Sequence, residues 1–298
     1  MENYLGELAA VGTSLAFAFG STLFTVAGRR LGSMNVNRIR LVIAAIFLSA
    51  LHWISLGSLF PVNAAPDRFF WLGLSGVIGL VLGDIFVFRA FILIGPRLTM
   101  LMMSLAPILA AIQAWIFLDE TLSGGQIFGI LLTVGGIAWV ILEKNGIQRN
   151  DREYGQGILL GLLGAIGQAT GFVLAKNGLG GEFSAISANL IRMTAATIVM
   201  WIITLFQGQA KQTLSTFFHD REGIIATTGA SFVGPFIGVS LSLFALQHVE
   251  VGVASTLTAL PPIFLLPISY FIFKEQLSWG AILGTLVSMA GVAALFLV

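Results

Sequence analysis

The sequence predicts an all-α polytopic membrane protein: ten transmembrane helices arranged as two inverted five-helix repeats. Three observations lead there. The composition is that of a chain solvated by lipid, the apolar runs number ten, and the second half echoes the first.

Composition sets the class. The 298 residues are 57% hydrophobic and only 10% charged, with a mean hydropathy of +0.95, whereas a soluble domain carries about 25% charged residues. A net charge of +1 gives no pull toward nucleic acid. The absence of cysteine excludes disulfides, thiolate catalysis and cysteine-ligated metal. His52, His219 and His248 are too scattered for a His-rich metal site, so no cofactor is expected. The N-terminal MENYLGELAAVG is acidic and lacks the basic region and cleavage site of a signal peptide, so the first apolar run reads as a retained span. The expected setting is the cell (inner or plasma) membrane, multi-pass, with the lipid bilayer as partner.

An apolar run of about 20 residues crosses the hydrocarbon core as a helix. Such runs fall at 8–28, 37–57, 69–93, 98–118, 123–142, 157–176, 184–206, 223–246, 251–273 and 278–298. Charges or Pro/Gly clusters separate them: Arg29-Arg30, Pro61 to Arg68, Gly95-Pro96-Arg97, Asp119-Glu120 and Lys144 to Glu153. The last, EKNGIQRNDREY, reads as the midpoint linker, dividing the chain into repeats 1–148 and 149–298. The segment QGQAKQTLSTFFHDRE (207–222) is the longest later loop and suits the membrane interface. Small residues recur four apart, as at Gly79/Gly83, Gly167/Gly171 and Gly234/Gly238, which lets helix backbones approach closely in lipid.

The duplication is explicit. NRIRLVIAAI (37–46) returns as NLIRMTAATI (189–198), and FLDETLSGGQIFG (117–129) as IFKEQLSWGAILG (272–284). Pro107 falls opposite Pro262, and Gly136 opposite Gly291. A unit of five crossings ends on the opposite face from where it began, so the second copy is inserted upside down. Inverted repeats are the signature of alternating-access carriers, with the substrate near the midplane between the halves.

Each copy carries an Arg early in its second helix and an x-x-Ala step late in the third (Phe88-Arg89-Ala90; Leu243-Phe244-Ala245). Then come a Pro in the fourth helix, Glu-x-Leu-Ser before the fifth, and Gly-x6-Gly along it. In this order and duplication the chain resembles the EamA-like branch of the drug/metabolite transporter superfamily over essentially its whole length. The resemblance implies a basket-like ten-helix carrier whose central cavity is lined mainly by the first, third and fourth helices of each half. It also implies transport of small metabolites, often amino acids or related compounds, and commonly export.

Individual residues carry competing readings. Arg40 and Arg192 lie about 10–12 Å inside their helices. Snorkelling, a structural ion pair and anion recognition all fit, and duplication favours a structural or gating role, shared with Asn189, Pro107 and Pro262. Asp84 is the sharper candidate. It lies deep in the third span, its counterpart Val239 is apolar, and a membrane acid that breaks repeat symmetry is a functional candidate. It fits a substrate amine or a coupled proton, against an ion pair with Arg89 or Arg40. Gln113 and Gln168 need partners in the membrane and fit either a cavity wall or inter-helix bonds. Phe88 and Phe91, at helical spacing from Asp84, suit packing better than a substrate wall. Ser104, Thr99 and Ser240 are lesser candidates, Pro107 and Pro261-Pro262 expected kinks, and Glu120 and Glu275 expected helix caps.

Two catalytic look-alikes fail. GLSG (73–76) fits an intramembrane serine protease motif, but His248 sits at a helix end beside Glu250, and five-helix repeats are foreign to that fold. LGD (82–84) lacks both the preceding Gly and a second buried Asp. With no Walker motif, the expected activity is secondary transport of a small-molecule substrate, compatible with proton coupling. A monomer suffices and a dimer is compatible. The rival is a non-transporting sensor or scaffold. Orientation rules conflict: basic residues crowd the face opposite the termini, which places the termini outside, whereas the family resemblance implies cytoplasmic termini.

Overall fold

The computed structural model describes residues 4–117, 121–143, 151–179, 183–249 and 251–297. Among them, nine helices are long and apolar enough to cross a membrane, and Leu105–Ile116 is a shorter apolar helix. The expected cap Glu120, the boundary at 148/149 and the linker residues 144–150 lie outside the described residues. Asp151, Arg152 and Glu153, expected in that linker, form the first turn of a helix, where acidic groups suit the helix dipole.

The first half runs α1 (Leu5–Leu31), α2 (Ser33–Leu56), α3 (Pro66–Gly76), a π-helical segment Val77–Gly83, α4 (Asp84–Met103), α5 (Leu105–Phe117) and α6 (Gly124–Glu143). The second runs α7 (Asp151–Gly178), α8 (Ala185–Phe206), α9 (Ala210–His219), α10 (Arg221–Ser231), a π-helical segment Phe232–Gly238, α11 (Val239–His248), α12 (Val251–Thr258), α13 (Pro261–Phe271) and α14 (Trp279–Leu297).

The apparent shortfall from ten crossings has a local cause. Pro66–Met103 spans 38 residues, which as one straight helix would be about 57 Å long, nearly twice the hydrocarbon core. It is not straight: Gly95 sits at φ 79, ψ 171, followed by Pro96. Only glycine adopts that conformation cheaply, and proline cannot continue the preceding hydrogen-bond ladder. The chain turns back there, and a fourth crossing runs through 96–103 into α5. Its counterpart is interrupted too, between Thr258 and Pro261, at the expected proline pair. The interfacial expectation for 207–222 corresponds to α9, a short helix that buries Thr213 and Phe217. Its following Asp220 caps α10, accepting a 2.9 Å hydrogen bond from Gly223 N.

Both third crossings carry a seven-residue π-helical segment at the same place in the repeat, Val77–Gly83 and Phe232–Gly238. Packing between the halves is crossed. α7 lies on α3, the first π segment and α4, while α1 lies on α10, the second π segment and α11. A Cβ on Gly171 would stand 3.0 Å from Gly79 Cα, and one on Gly20 3.2 Å from Gly234 Cα. The final helices of the two halves, α6 and α14, form the most extensive helix pair. There a Cβ on Gly136 would meet Gly284 O at 2.7 Å, and one on Gly291 would meet Gly129 O at 2.7 Å.

This pairing makes a test from two adjacent positions. Gly136 is buried against α14, whereas a Cβ on Gly135 meets nothing within 4 Å. Gly136→Leu should destabilise the protein by about 1–3 kcal/mol through overpacking, read as a lower thermal midpoint in detergent. Gly135→Leu should leave the midpoint unchanged or higher, and equal losses at both positions would contradict the α6–α14 contact.

Candidate functional site

Near mid-membrane, α2, α4, α7 and α8 bring five polar side chains together. Asp84 and Arg40 are each only 5% exposed and form an ion pair between Arg40 Nη2 and Asp84 Oδ2. The other carboxylate oxygen, Oδ1, accepts a 2.8 Å hydrogen bond from Gln168 Nε2. Arg40 Nε donates to Asn37 Oδ1 at 2.9 Å, one helical turn earlier on α2. Aromatic rings close the group: the Arg40 guanidinium lies 4.8 Å from the Phe88 centroid and 6.0 Å from that of Phe24. Phe24 and Phe88 meet edge to face at 5.1 Å.

Arg192, the counterpart of Arg40, faces the same carboxylate from the other half. It lies close enough to interact electrostatically with Asp84 but forms no ion pair with it among the described residues. Its guanidinium stacks over Phe172 at 5.5 Å, and its Nε is buried without a hydrogen-bond partner. The second half thus lacks both the acid and the asparagine contact that satisfy Arg40. Two arginines share one carboxylate.

Beside this cluster lies a cavity of about 630 Å³. Its walls come from α1 (Phe17), the fourth crossing (Met100, Ser104, Pro107, Ala114), α7 (Gln168, Phe172, Lys176), α12 and α13 (Ser255, Pro262), and Phe296 near the end of α14. The third crossings, expected among the walls, do not line the cavity among the described residues; that of the first half supplies Asp84 behind the wall. Lys176 is near the C-terminus of α7 and Phe296 near that of α14, so the cavity opens toward the face where α1 begins and α14 ends.

The opposite face is closed by ion pairs between the halves. Arg30, at the end of α1, reaches Asp220 at 2.9 Å and Glu222 at 2.6 Å. The Arg30 hydrogen bond, aided by Gly223 N, holds the half-buried Asp220 carboxyl below its usual pKa. Arg97 Nε donates to Glu275 at 3.1 Å, so Glu275 is a cross-half ion-pair partner where the sequence suggests a cap. Ser278 takes the cap, accepting from Ala281 N at 3.0 Å. Arg38, also buried, donates to Thr213 at 2.9 Å and Gln207 at 2.9 Å, fastening α2 to α9 and its lead-in.

Not all of the expected site residues meet. Asp84, Arg40, Gln168 and Phe88 converge, with Arg192 beside them. Asp84 is ion-paired rather than a lone acid, and it stands behind Gln168 instead of in the cavity wall. Arg40 is its partner, whereas Arg89 is exposed. Gln168 fills both of its expected roles, cavity wall and inter-helix bond, while Gln113 bonds across to Thr170 Oγ1 at 3.2 Å and does not line the cavity. Ser104, Pro107 and Pro262 line the cavity, and the Ser104 hydroxyl also donates to Met100 O at 3.3 Å. Phe88 packs on Arg40 and Phe91, away from the cavity. Asn189 is half-buried and outside the wall. The sequence reading missed Asn37, Lys176 and Phe172 as site residues. Asn37 was readable in the repeated Asn-x-x-Arg, and the other two in the four-residue spacing 168, 172, 176, which shares one helix face.

An all-α membrane protein of two inverted five-helix units around a cavity open to one face has the architecture of a membrane carrier. The chain belongs to the EamA-like transporter family, whose model matches residues 4–142 and again 155–297. It is a multi-pass membrane transporter of the drug/metabolite superfamily, whose usual site is the plasma membrane. One solved crystal structure of a protein is similar over 97% of this chain and 96% of that chain, with TM-score 0.62 at 16% identity, which shows a shared fold alone. No curated protein matches the sequence.

The ion pair predicts an asymmetric mutational pattern. Asp84→Leu or Arg40→Leu alone strands a buried charge, and each should cost about 3–5 kcal/mol. The double variant removes both charges and should recover most of that loss, measured as thermal unfolding of purified protein in detergent. Additive losses would mean that the two side chains do not act as a pair.

Proposed function

We propose that the chain is a secondary exporter of a small organic metabolite, such as an amino acid or related compound, working by alternating access. The halves 1–148 and 149–298 rock against each other about the central cavity, and a monomer suffices. The observation that carries this reading is the cavity between inverted halves, open toward one face and closed at the other by Arg30–Asp220, Arg30–Glu222 and Arg97–Glu275. Opening the closed face requires separating those pairs. Packing supports the asymmetry: α2 rests on α4, but their counterparts α8 and α11 make no comparable contact among the described residues.

In this reading Gln168 and Ser104 face the substrate, and Asp84 couples the site to the framework through Arg40. Phe88, Gln113 and Asn189 hold neighbouring helices in register. Pro107 and Pro262 shape the cavity wall, and Arg192 belongs to the moving half. Proton coupling through Asp84 requires the Arg40 pair to open during the cycle. If Asp84→Asn transports normally across pH while Asp84→Leu does not, the carboxylate is structural and carries no coupled proton.

The chain has no cysteine, so single cysteines report access directly. Ser104→Cys should react with a membrane-impermeant maleimide from the face of the termini and not from the other. Adding Glu275→Gln, which removes the charge paired with Arg97, should raise labelling from the closed face. A C-terminal reporter active only in the cytoplasm or only outside assigns the faces. Flux of a metabolite panel into proteoliposomes under a pH gradient tests transport itself, and no flux for any member would leave the sensor or scaffold reading standing.

A further inference from the structure

We propose that Asp84 exchanges partners during transport: Arg40 holds it while the cavity faces the termini, and Arg192 takes it when the opposite face opens. The proposal rests on the alternating-access reading and makes Arg192 a positioning residue for that cycle. The carboxylate then has a guanidinium beside it in both arrangements.

The two oxygens of Asp84 are held unequally. Oδ2 is paired with Arg40, whose Nε is fixed by Asn37 at 2.9 Å. Oδ1 accepts from a neutral amide, Gln168 Nε2 at 2.8 Å, and the same nitrogen also reaches Gly79 O at 3.4 Å. Arg192 stands on that second side. A Cβ on Gly76 would lie 2.9 Å from Arg192 Cα, so α8 touches the third crossing about two turns before Asp84. From there the side chain runs toward the amide. Arg192 Nη2 and Gln168 Oε1 each lie 3.7 Å from where a Gly79 Cβ would stand. Arg192 is also within electrostatic reach of Asp84.

Arg192 is less firmly held than Arg40. Its guanidinium stacks on Phe172 at 5.5 Å, and its Nε is buried without a hydrogen-bond partner. Asn189 precedes it by one turn, as Asn37 precedes Arg40, yet makes no bond to it. The helices give the exchange a direction. α2 rests on α4, whereas α8 rests on α3 and the first π-helical segment. In a carrier of inverted repeats, opening the closed face breaks the α2–α4 contact, which has no counterpart between α8 and α11 among the described residues. A buried carboxylate stripped of its cation is strongly disfavoured. α8 is still against the crossing that carries Asp84, so its arginine is placed to replace the Gln168 amide at Oδ1.

The test uses the full chain with Ser104→Cys and Glu275→Gln, in which weakening the closed face admits an impermeant maleimide from that side. Adding Arg192→Met should slow labelling from the closed face by roughly tenfold or more, the scale of one charge-assisted hydrogen bond. Labelling from the face of the termini should persist, which shows that the chain is folded. Arg192→Lys should keep most of the closed-face labelling. Adding Asp84→Asn to the Arg192→Met protein should restore it, because a neutral amide needs no second cation. A packing role for Arg192 gives no such rescue. Unchanged closed-face labelling in Arg192→Met, a loss that Asp84→Asn does not restore, or loss from both faces would overturn the exchange and leave the alternating-access reading in place. If Glu275→Gln itself fails to raise closed-face labelling, both fall together.

Discussion

Everything in this molecule depends on backbones touching across the two halves. In lipid, helices gain nothing by burying apolar side chains from water, so association rests on close packing and polar contacts. Here that packing runs from one repeat to the other: Gly171 of α7 against Gly79, and Gly20 of α1 against Gly234. The first helix of each half therefore rests on the third crossing of its partner. Each half lends its first helix to the other, so the fold is complete only when both are present. The cavity is what remains between the crossed pairs.

The π-helical segments lie on these same contacts. A π turn adds a residue to the helix and shifts the register of the turns beyond it. In the first half the segment ends at Gly83, and Asp84 starts the next α-helical stretch facing Arg40 and Gln168. The equivalent segment in the second half ends at Gly238, with Val239 next in the chain. The same backbone device presents a carboxylate on one side and an aliphatic group on the other. Local geometry is duplicated while charge is not, so this position is one at which the halves differ in charge on the same backbone.

Much of this was legible because membrane folding compresses the choices. Long apolar runs fix the class, and the Asn-x-x-Arg echo and paired prolines fix the repeat. What escaped was geometry that composition does not encode. The reversal at Gly95 was visible only as a Gly-Pro-Arg separator, and the π segments have no composition of their own. Asp84 was singled out by asymmetry, yet its pairing with Arg40 depends on how α2 and α4 meet across a sequence separation of 44. Lys176 closes the apolar run 157–176, and the run by itself does not place it at a cavity. The helix in fact continues to Gly178, which turns that ammonium toward the cavity.

The charge asymmetry also bears on how such a carrier can favour one state. In a molecule with perfectly matched inverted repeats, opening to either face would exchange equivalent contacts, and the two states would have equal energy. This chain departs from that symmetry twice, in the single acid between Arg40 and Arg192 and in the ion pairs gathered on one face. Both departures stabilise the arrangement in which α2 rests on α4 and the cavity opens toward the termini. A ligand shifts an equilibrium only by its differential affinity for the two states. A substrate therefore moves this carrier only to the extent that it binds the two arrangements differently.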